Sequence, residues 1–106
     1  MNTKQTNRNF YEHFEATNKK AERLFLQDKA LQDSLYLILM GLAMDFDCSS
    51  FDYEKKVRYA LERKIVSLIR HSQSGTQTIF DQFLKRLNQD EINFLDCGKL
   101  ARLAMR

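Results

Sequence analysis

Apolar positions first recur at Phe10, Phe14, Thr17, Ala21, Leu24 and Phe25, with Glu12, Glu15, Lys19, Lys20 and Arg23 lying between them. Steps of three and four mark one face of an α-helix. They predict a first helix over 9–27, with Asn7 and Asn9 as caps. Residues 1–8 are polar and aperiodic, and are expected to form a flexible N-terminal tail ahead of a helical domain over 9–106. Asp28 falls where a break or a cap belongs. Beyond it Leu31, Leu35, Tyr36, Leu37, Ile38, Leu39, Met40, Leu42, Ala43 and Met44 go nearly all the way round a second helix over 29–44. A helix apolar on all sides is expected to be buried on several sides, which makes this the central helix. Gly41 in its middle costs about 1 kcal/mol relative to alanine. Close approach by a neighbouring helix is the expected reason for it.

A polar connection over 45–50 follows, and Ser49 with Asp52 has the spacing of a capping box. The third helix is predicted over 51–71, with Tyr53, Val57, Ala60, Leu61, Ile65, Leu68 and Ile69 on its inner stripe and Gly75 in the turn after it. A fourth helix over 76–87 turns Ile79, Phe80, Phe83, Leu84 and Leu87 inward. Asn88 and Glu91 form a second capping-box pattern. The last segment, 90–105, places Ile92, Leu95, Leu100 and Leu103 toward the core and is expected to split at Gly98. The predicted fold is all-α, a compact single-domain bundle of four to five helices with joints near 28, 48, 74 and 89.

Composition supports this and narrows the function. The chain has no proline and 3 glycines in 106 residues, too few turn residues for a β-rich fold. A monomer of this mass should expose about 6,200 Å² when folded. It is too short for an ordinary catalytic barrel or doubly wound nucleotide fold. The first nine residues hold no apolar leader, so the expected location is cytoplasmic, with Cys48 and Cys97 as reduced thiols. The apolar run over 35–44 is half the length that crosses a bilayer, and no membrane association is expected.

The net charge of +3 is uneven. Residues 1–47 carry six basic and seven acidic side chains, 48–75 six and three, and 76–106 five and four. The excess therefore lies on the third helix. There Lys56, Arg63 and Arg70 recur every seven residues on one side, with Lys55 close by, Lys64 beside them and Arg58 set apart. Such a stripe suits a phosphate backbone. A solvated face, with i,i+4 pairs among Glu54, Arg58 and Glu62, explains the same residues.

Other chemistry finds little footing. His13, His71, Cys48 and Cys97 form none of the short metal-ligand spacings, so no metal site is expected. Each cysteine follows an aspartate, which disfavours a reactive thiolate, and both are expected to be semi-buried thiols. Asp90 and Glu91 suit a helix N-terminus, and Asp45 and Asp47 have no partner histidine. No nucleotide fingerprint is present. A helix-turn-helix over 78–106 would present Asp90, Glu91 and Asp96 to phosphates at the reading end. Of the aromatic residues, Tyr11, Tyr36, Tyr59, Phe51 and Phe94 fit the core stripes least. Tyr11, Tyr36 and Tyr59 are the candidate protein-binding residues.

The expectation is a small non-enzymatic interaction protein, of the inhibitor, adaptor or immunity type. It would act by stoichiometric binding of another protein, without catalytic residues or cofactors. A homodimer is also expected, because the second helix is more apolar than so small a bundle can cover. The alternative is a nucleic-acid-binding or regulatory protein using Lys55, Lys56, Arg63, Lys64 and Arg70.

Overall fold

Asp28 stops one helix and starts the next. Its extended backbone breaks the chain direction, and its carboxylate accepts the Leu31 N–H at 3.0 Å. Gln32 ties the corner by donating to the Phe25 carbonyl at 2.8 Å. The computed structural model describes the backbone of residues 3–71 and 78–106 and the side chains of 9–71 and 79–106. Among them are α1 (Thr3–Gln27), α2 (Lys29–Ala43), α3 (Tyr53–Arg70), α4 (Thr78–Lys85), α5 (Gln89–Asn93) and α6 (Cys97–Ala104), and no strand. The all-α prediction stands, but the described chain forms six helices rather than four or five.

α1 begins at Thr3, well before position 9, so Asn9 lies inside the helix and caps nothing. Residues 1–2 of the expected tail lie outside the described residues. The expected turn at Gly75 lies outside them too. The Asn88 capping box forms as predicted, with the Asn88 side chain on the Glu91 N–H at 2.8 Å and Glu91 on the Asn88 N–H at 2.9 Å. The Ser49–Asp52 box does not form. Ser49 instead donates from backbone and hydroxyl to Asp47, at 3.0 and 2.7 Å, and Asp52 stands at the N-cap of α3 without a side-chain cap bond. The Tyr53 hydroxyl closes this connection by donating to the Ala43 carbonyl at 3.2 Å.

The core is built from Phe25, Leu31, Leu35, Leu61, Ile65 and Phe83, all fully buried, with Phe80, Leu84, Leu87, Leu100 and Leu103 around them. α3 and α6 share the broadest contact, and α2 lies against α3, α1, α4 and α6. Gly98 sits in the α3–α6 contact, where an added Cβ would meet Asp96 Oδ1 at 3.3 Å and Glu62 Cδ at 3.4 Å. It does not split the last segment. The split falls at 94–96, where Asp96 caps α6 by accepting the Lys99 N–H at 3.1 Å.

The far ends of two predicted stripes lie outside this core. Phe10 and Ile79 are exposed although the spacing turned them inward. The molecule measures 52 × 34 × 24 Å, with a radius of gyration of 15.4 Å. A compact chain of this length would have about 13 Å.

Candidate functional site

The α2 helix has an inner and an outer side. Leu31 and Leu35 are buried, and Ile38, Leu39 and Leu42 pack against the core at partial exposure. On the other side Tyr36 is 53%, Leu37 71%, Met40 50% and Met44 84% exposed. This corrects the expectation of a central helix buried on several sides. The helices that touch α2, namely α1, α3, α4 and α6, all meet the side that carries Leu31 and Leu35, and α2 is covered along that side only. Gly41 belongs to the uncovered side. An added Cβ there would meet nothing within 4 Å, so close packing within the chain is not the reason for this glycine. Lys29 stands at the start of this face, and Asp45 and Asp47 lie just past its end, all exposed.

The outer side of α3 is chemically different. Lys55, Lys56, Tyr59, Arg63 and Arg70 are exposed on it. At 100° per residue their mean direction is about 180° from that of Val57, Leu61, Ile65 and Leu68. Lys64 is exposed on the flank, and Arg58 is half-buried on the other flank. The Arg63 guanidinium lies over the Tyr59 ring at 5.9 Å. A groove of about 470 Å³ beside them is lined by Phe46, Lys56, Tyr59, Ala60 and Arg63, and a second of about 460 Å³ continues along Val66 to Arg70. Lys56 also pairs with Asp52 at 3.4 Å. The Ser50 hydroxyl, and more weakly Lys56, hold the Asp52 carboxyl below the usual carboxylate range.

Tyr11, Tyr36 and Tyr59 are all exposed, on α1, α2 and α3, and no contact links the three rings among the described residues. Tyr11 meets Phe10 edge-on at 5.8 Å. Phe94 is not an outlying ring: Phe10 and His13 both pack on it, at 5.2 and 4.7 Å. Phe51 is fully exposed.

One polar residue that spacing arguments passed over organises the opposite end of the molecule. Asn18 is buried on α1. Its Nδ2 donates to the Phe14 and Phe94 carbonyls at 2.9 Å, and its Oδ1 accepts the Asp96 N–H at 2.7 Å. Its place between Phe14 and Ala21 on the same stripe was the available signal. Lys20 reinforces it by bridging to both oxygens of Glu91 at 3.0 and 3.1 Å, and Lys99 pairs with Glu22 at 3.1 Å.

Both cysteines are free thiols. Cys97 is half-buried, and burial, Glu62 and Asp96 push its pKa up to about 11. Cys48 is exposed rather than semi-buried, because the 45–52 connection lies on the surface. Among the described residues no group of three or more His, Cys, Asp or Glu side chains could hold a metal ion. No helix there is long and apolar enough to cross a membrane. No family model, curated protein or solved structure matches this chain.

Proposed function

We propose that this chain is a non-enzymatic interaction module that acts by stoichiometric protein binding, with the outer face of α2 as its docking surface. The observation that carries the reading is the contiguous exposure of Tyr36, Leu37, Met40 and Met44 on one helix. Isolated exposed apolar residues are ordinary, but several on one helix face mark an interaction site. Aromatic residues and methionine are the types enriched where proteins meet.

The test is quantitative affinity capture from the source lysate, with the parent chain and a Leu37→Glu, Met44→Glu variant as baits. Helicity by circular dichroism establishes that the variant is folded. The reading expects the parent's bound protein, whether another chain or a second copy, to fall by more than about tenfold on the variant. An unchanged set of bound proteins would remove α2 from the function.

A second reading is supported by the pairing of Arg63 with Tyr59 along the α3 grooves. Lys56, Arg63 and Arg70 stand about 10.5 Å apart along the axis. That is about three stacked nucleotides at 3.4 Å each. A ring with a guanidinium beside it suits a base of single-stranded nucleic acid. Three such phosphate contacts would cost about 20-fold in affinity between 50 and 200 mM salt. Fluorescence anisotropy with a mixed-sequence oligonucleotide, repeated on a Lys56→Glu, Arg63→Glu variant, measures this. Absence of binding at 50 mM would leave α3 a solvated face.

A further inference from the structure

We propose that the outer face of α2 is covered by the same face of a second copy of this chain, with the two helices running antiparallel. The inference rests on the reading of the chain as a protein-interaction module, and it names the partner.

Leu37, Met40 and Met44 are exposed and succeed one another in steps of three and four, and the row continues through Asp33 and Ala30 as a polar and a small position toward the start of the helix. That is the spacing of a seam along which two helices pack. Charge then selects the direction. A parallel pair would set Lys29 beside Lys29 and Asp45 beside Asp45, with the two helix dipoles aligned. An antiparallel pair brings Lys29 of each copy to the Asp45 and Asp47 end of the other and opposes the dipoles.

One antiparallel register fits shape as well as charge. When Leu37 faces Met40 of the second copy, Tyr36 faces Gly41. The large exposed ring then lies over the position where a Cβ would have met nothing within 4 Å. In the same register Lys29 lies at the C-terminal end of the second copy's α2, where the chain that leaves the helix carries the exposed Asp45 and Asp47. A two-fold axis makes each of these contacts twice. The exposed, uncrowded glycine, unexplained within one chain, thereby becomes a receiving notch.

The chain exposes 7645 Å². That exceeds the roughly 6,200 Å² expected of a compact monomer of its mass, and the excess is shared by the elongated shape, by Phe10, Tyr11 and Leu26 on α1 and by the outer face of α2, so it does not by itself choose the interface. A standard interface removes about 800 Å² from each partner. The outer side of α3 offers no comparable self-contact, because Lys55, Lys56, Arg63 and Arg70 would repel their own copies.

Multi-angle light scattering of the purified chain at about 100 μM should give twice 12.6 kDa. Leu37→Glu, a substitution at a 71% exposed position, should leave helicity unchanged. It should weaken the dimer by about 100-fold, since the contact is lost twice. Lys29→Glu should weaken it by about threefold, and adding Asp45→Lys and Asp47→Lys should restore it.

Direction is read by oxidising a mixture of a Leu37→Cys chain and a Met40→Cys chain, both carrying Cys48→Ser. The mixed disulfide should dominate. A dominant Leu37→Cys homodisulfide would overturn the antiparallel register. A mass of one chain at 100 μM would overturn the dimer. If lysate capture still depended on Leu37 and Met44 in that case, the protein-interaction reading would survive with a different partner.

Discussion

α2 is apolar at almost every position over 35–44, yet the residues fully buried along it are Leu31 and Leu35. α6 is half as long, holds Lys99 and Arg102, and buries Gly98, Leu100, Ala101, Leu103 and Ala104. Apolar content and burial therefore run in opposite directions in these two helices. The cause is how the neighbours are arranged. α6 lies along α3 in one broad contact, where its small residues let the two backbones approach, whereas α2 touches α1, α3, α4 and α6 with one side and leaves Tyr36, Leu37, Met40 and Met44 exposed on the other. Their glycines repeat the contrast. Gly98 stands where a Cβ would press on Glu62 and Asp96, and Gly41 where it would touch nothing. A glycine inside the fold is there for packing within the chain. A glycine on an open apolar helix face calls for an explanation from outside the chain.

The largest expected effects break this comparison most directly. Leu61 on α3 is fully buried in the core, and Leu61→Ala should cost about 2–5 kcal/mol of unfolding free energy. Leu37→Ala should change it by no more than about 0.5 kcal/mol when the chain is dilute enough to be monomeric. Urea denaturation at low protein concentration measures both. Equal losses would mean that the outer face of α2 serves the fold and not a partner.

Asn18→Ala comes next. It removes three hydrogen bonds and leaves the Asp96 N–H and the Phe94 carbonyl without their partner. A loss of about 2–4 kcal/mol is expected, at about 1–3 for each buried group left unsatisfied. Hydrogen exchange should show it first as opening of α5 and α6, with α2 unaffected. Simultaneous opening of α2 would show that the polar seam and the apolar helix are one cooperative unit.

What was legible in the sequence was local. Asp28, and Asn88 with Glu91, act on backbone groups three residues away, so the side chain and its target lie in the same short string. The inner stripe of α3 was legible because Val57, Leu61, Ile65 and Leu68 recur at helical spacing and a partner does cover them. The sidedness of α2 was not, because the pattern counts apolar residues and does not say on which side the covering helices lie. For the same reason the close approach expected at Gly41 is found at Gly98 instead, which was expected to split the last segment and does not: both are glycines in helices, and crowding is a property of the neighbour. Asn18 was missed because its targets, Phe94 and Asp96, lie more than seventy positions away. The cations of α3 were placed together on one outward side by seven-residue spacing alone, while the groove beside them depends on Phe46 from another segment.

The glycines sharpen the comparison at smaller amplitude. Gly98→Val should destabilise by about 1–3 kcal/mol through overpacking against α3. Gly41→Ala should stabilise the monomer by about 0.5–1 kcal/mol, the gain in helix propensity at an open position. It should weaken self-association at the same time, by filling the notch that Tyr36 of a second copy would occupy. Thermal unfolding at two protein concentrations separates these two signs. A destabilised monomer would show that the space at Gly41 is not free.

The smallest effect is ionic and belongs to the seam that holds α5 and α6 on α1. The Asn88 N–H and the Lys20 ammonium both bond Glu91 and hold its carboxyl below its ordinary value of 4.5. A carboxyl depressed in the folded state contributes stability above its unfolded pKa, and the contribution is lost as pH falls through the folded value. The pair is partly exposed, so the effect should stay below about 1 kcal/mol. The difference in stability between the parent chain and Glu91→Gln should therefore be constant from about pH 7 to 6 and shrink below about 4.5. The difference between the parent and Leu37→Ala should be flat over the same range, since that face holds no titrating contact within the chain. If the Glu91→Gln difference stayed flat as well, the Lys20 bridge would add nothing measurable. Asn18 and packing against α3 would then hold the small helices.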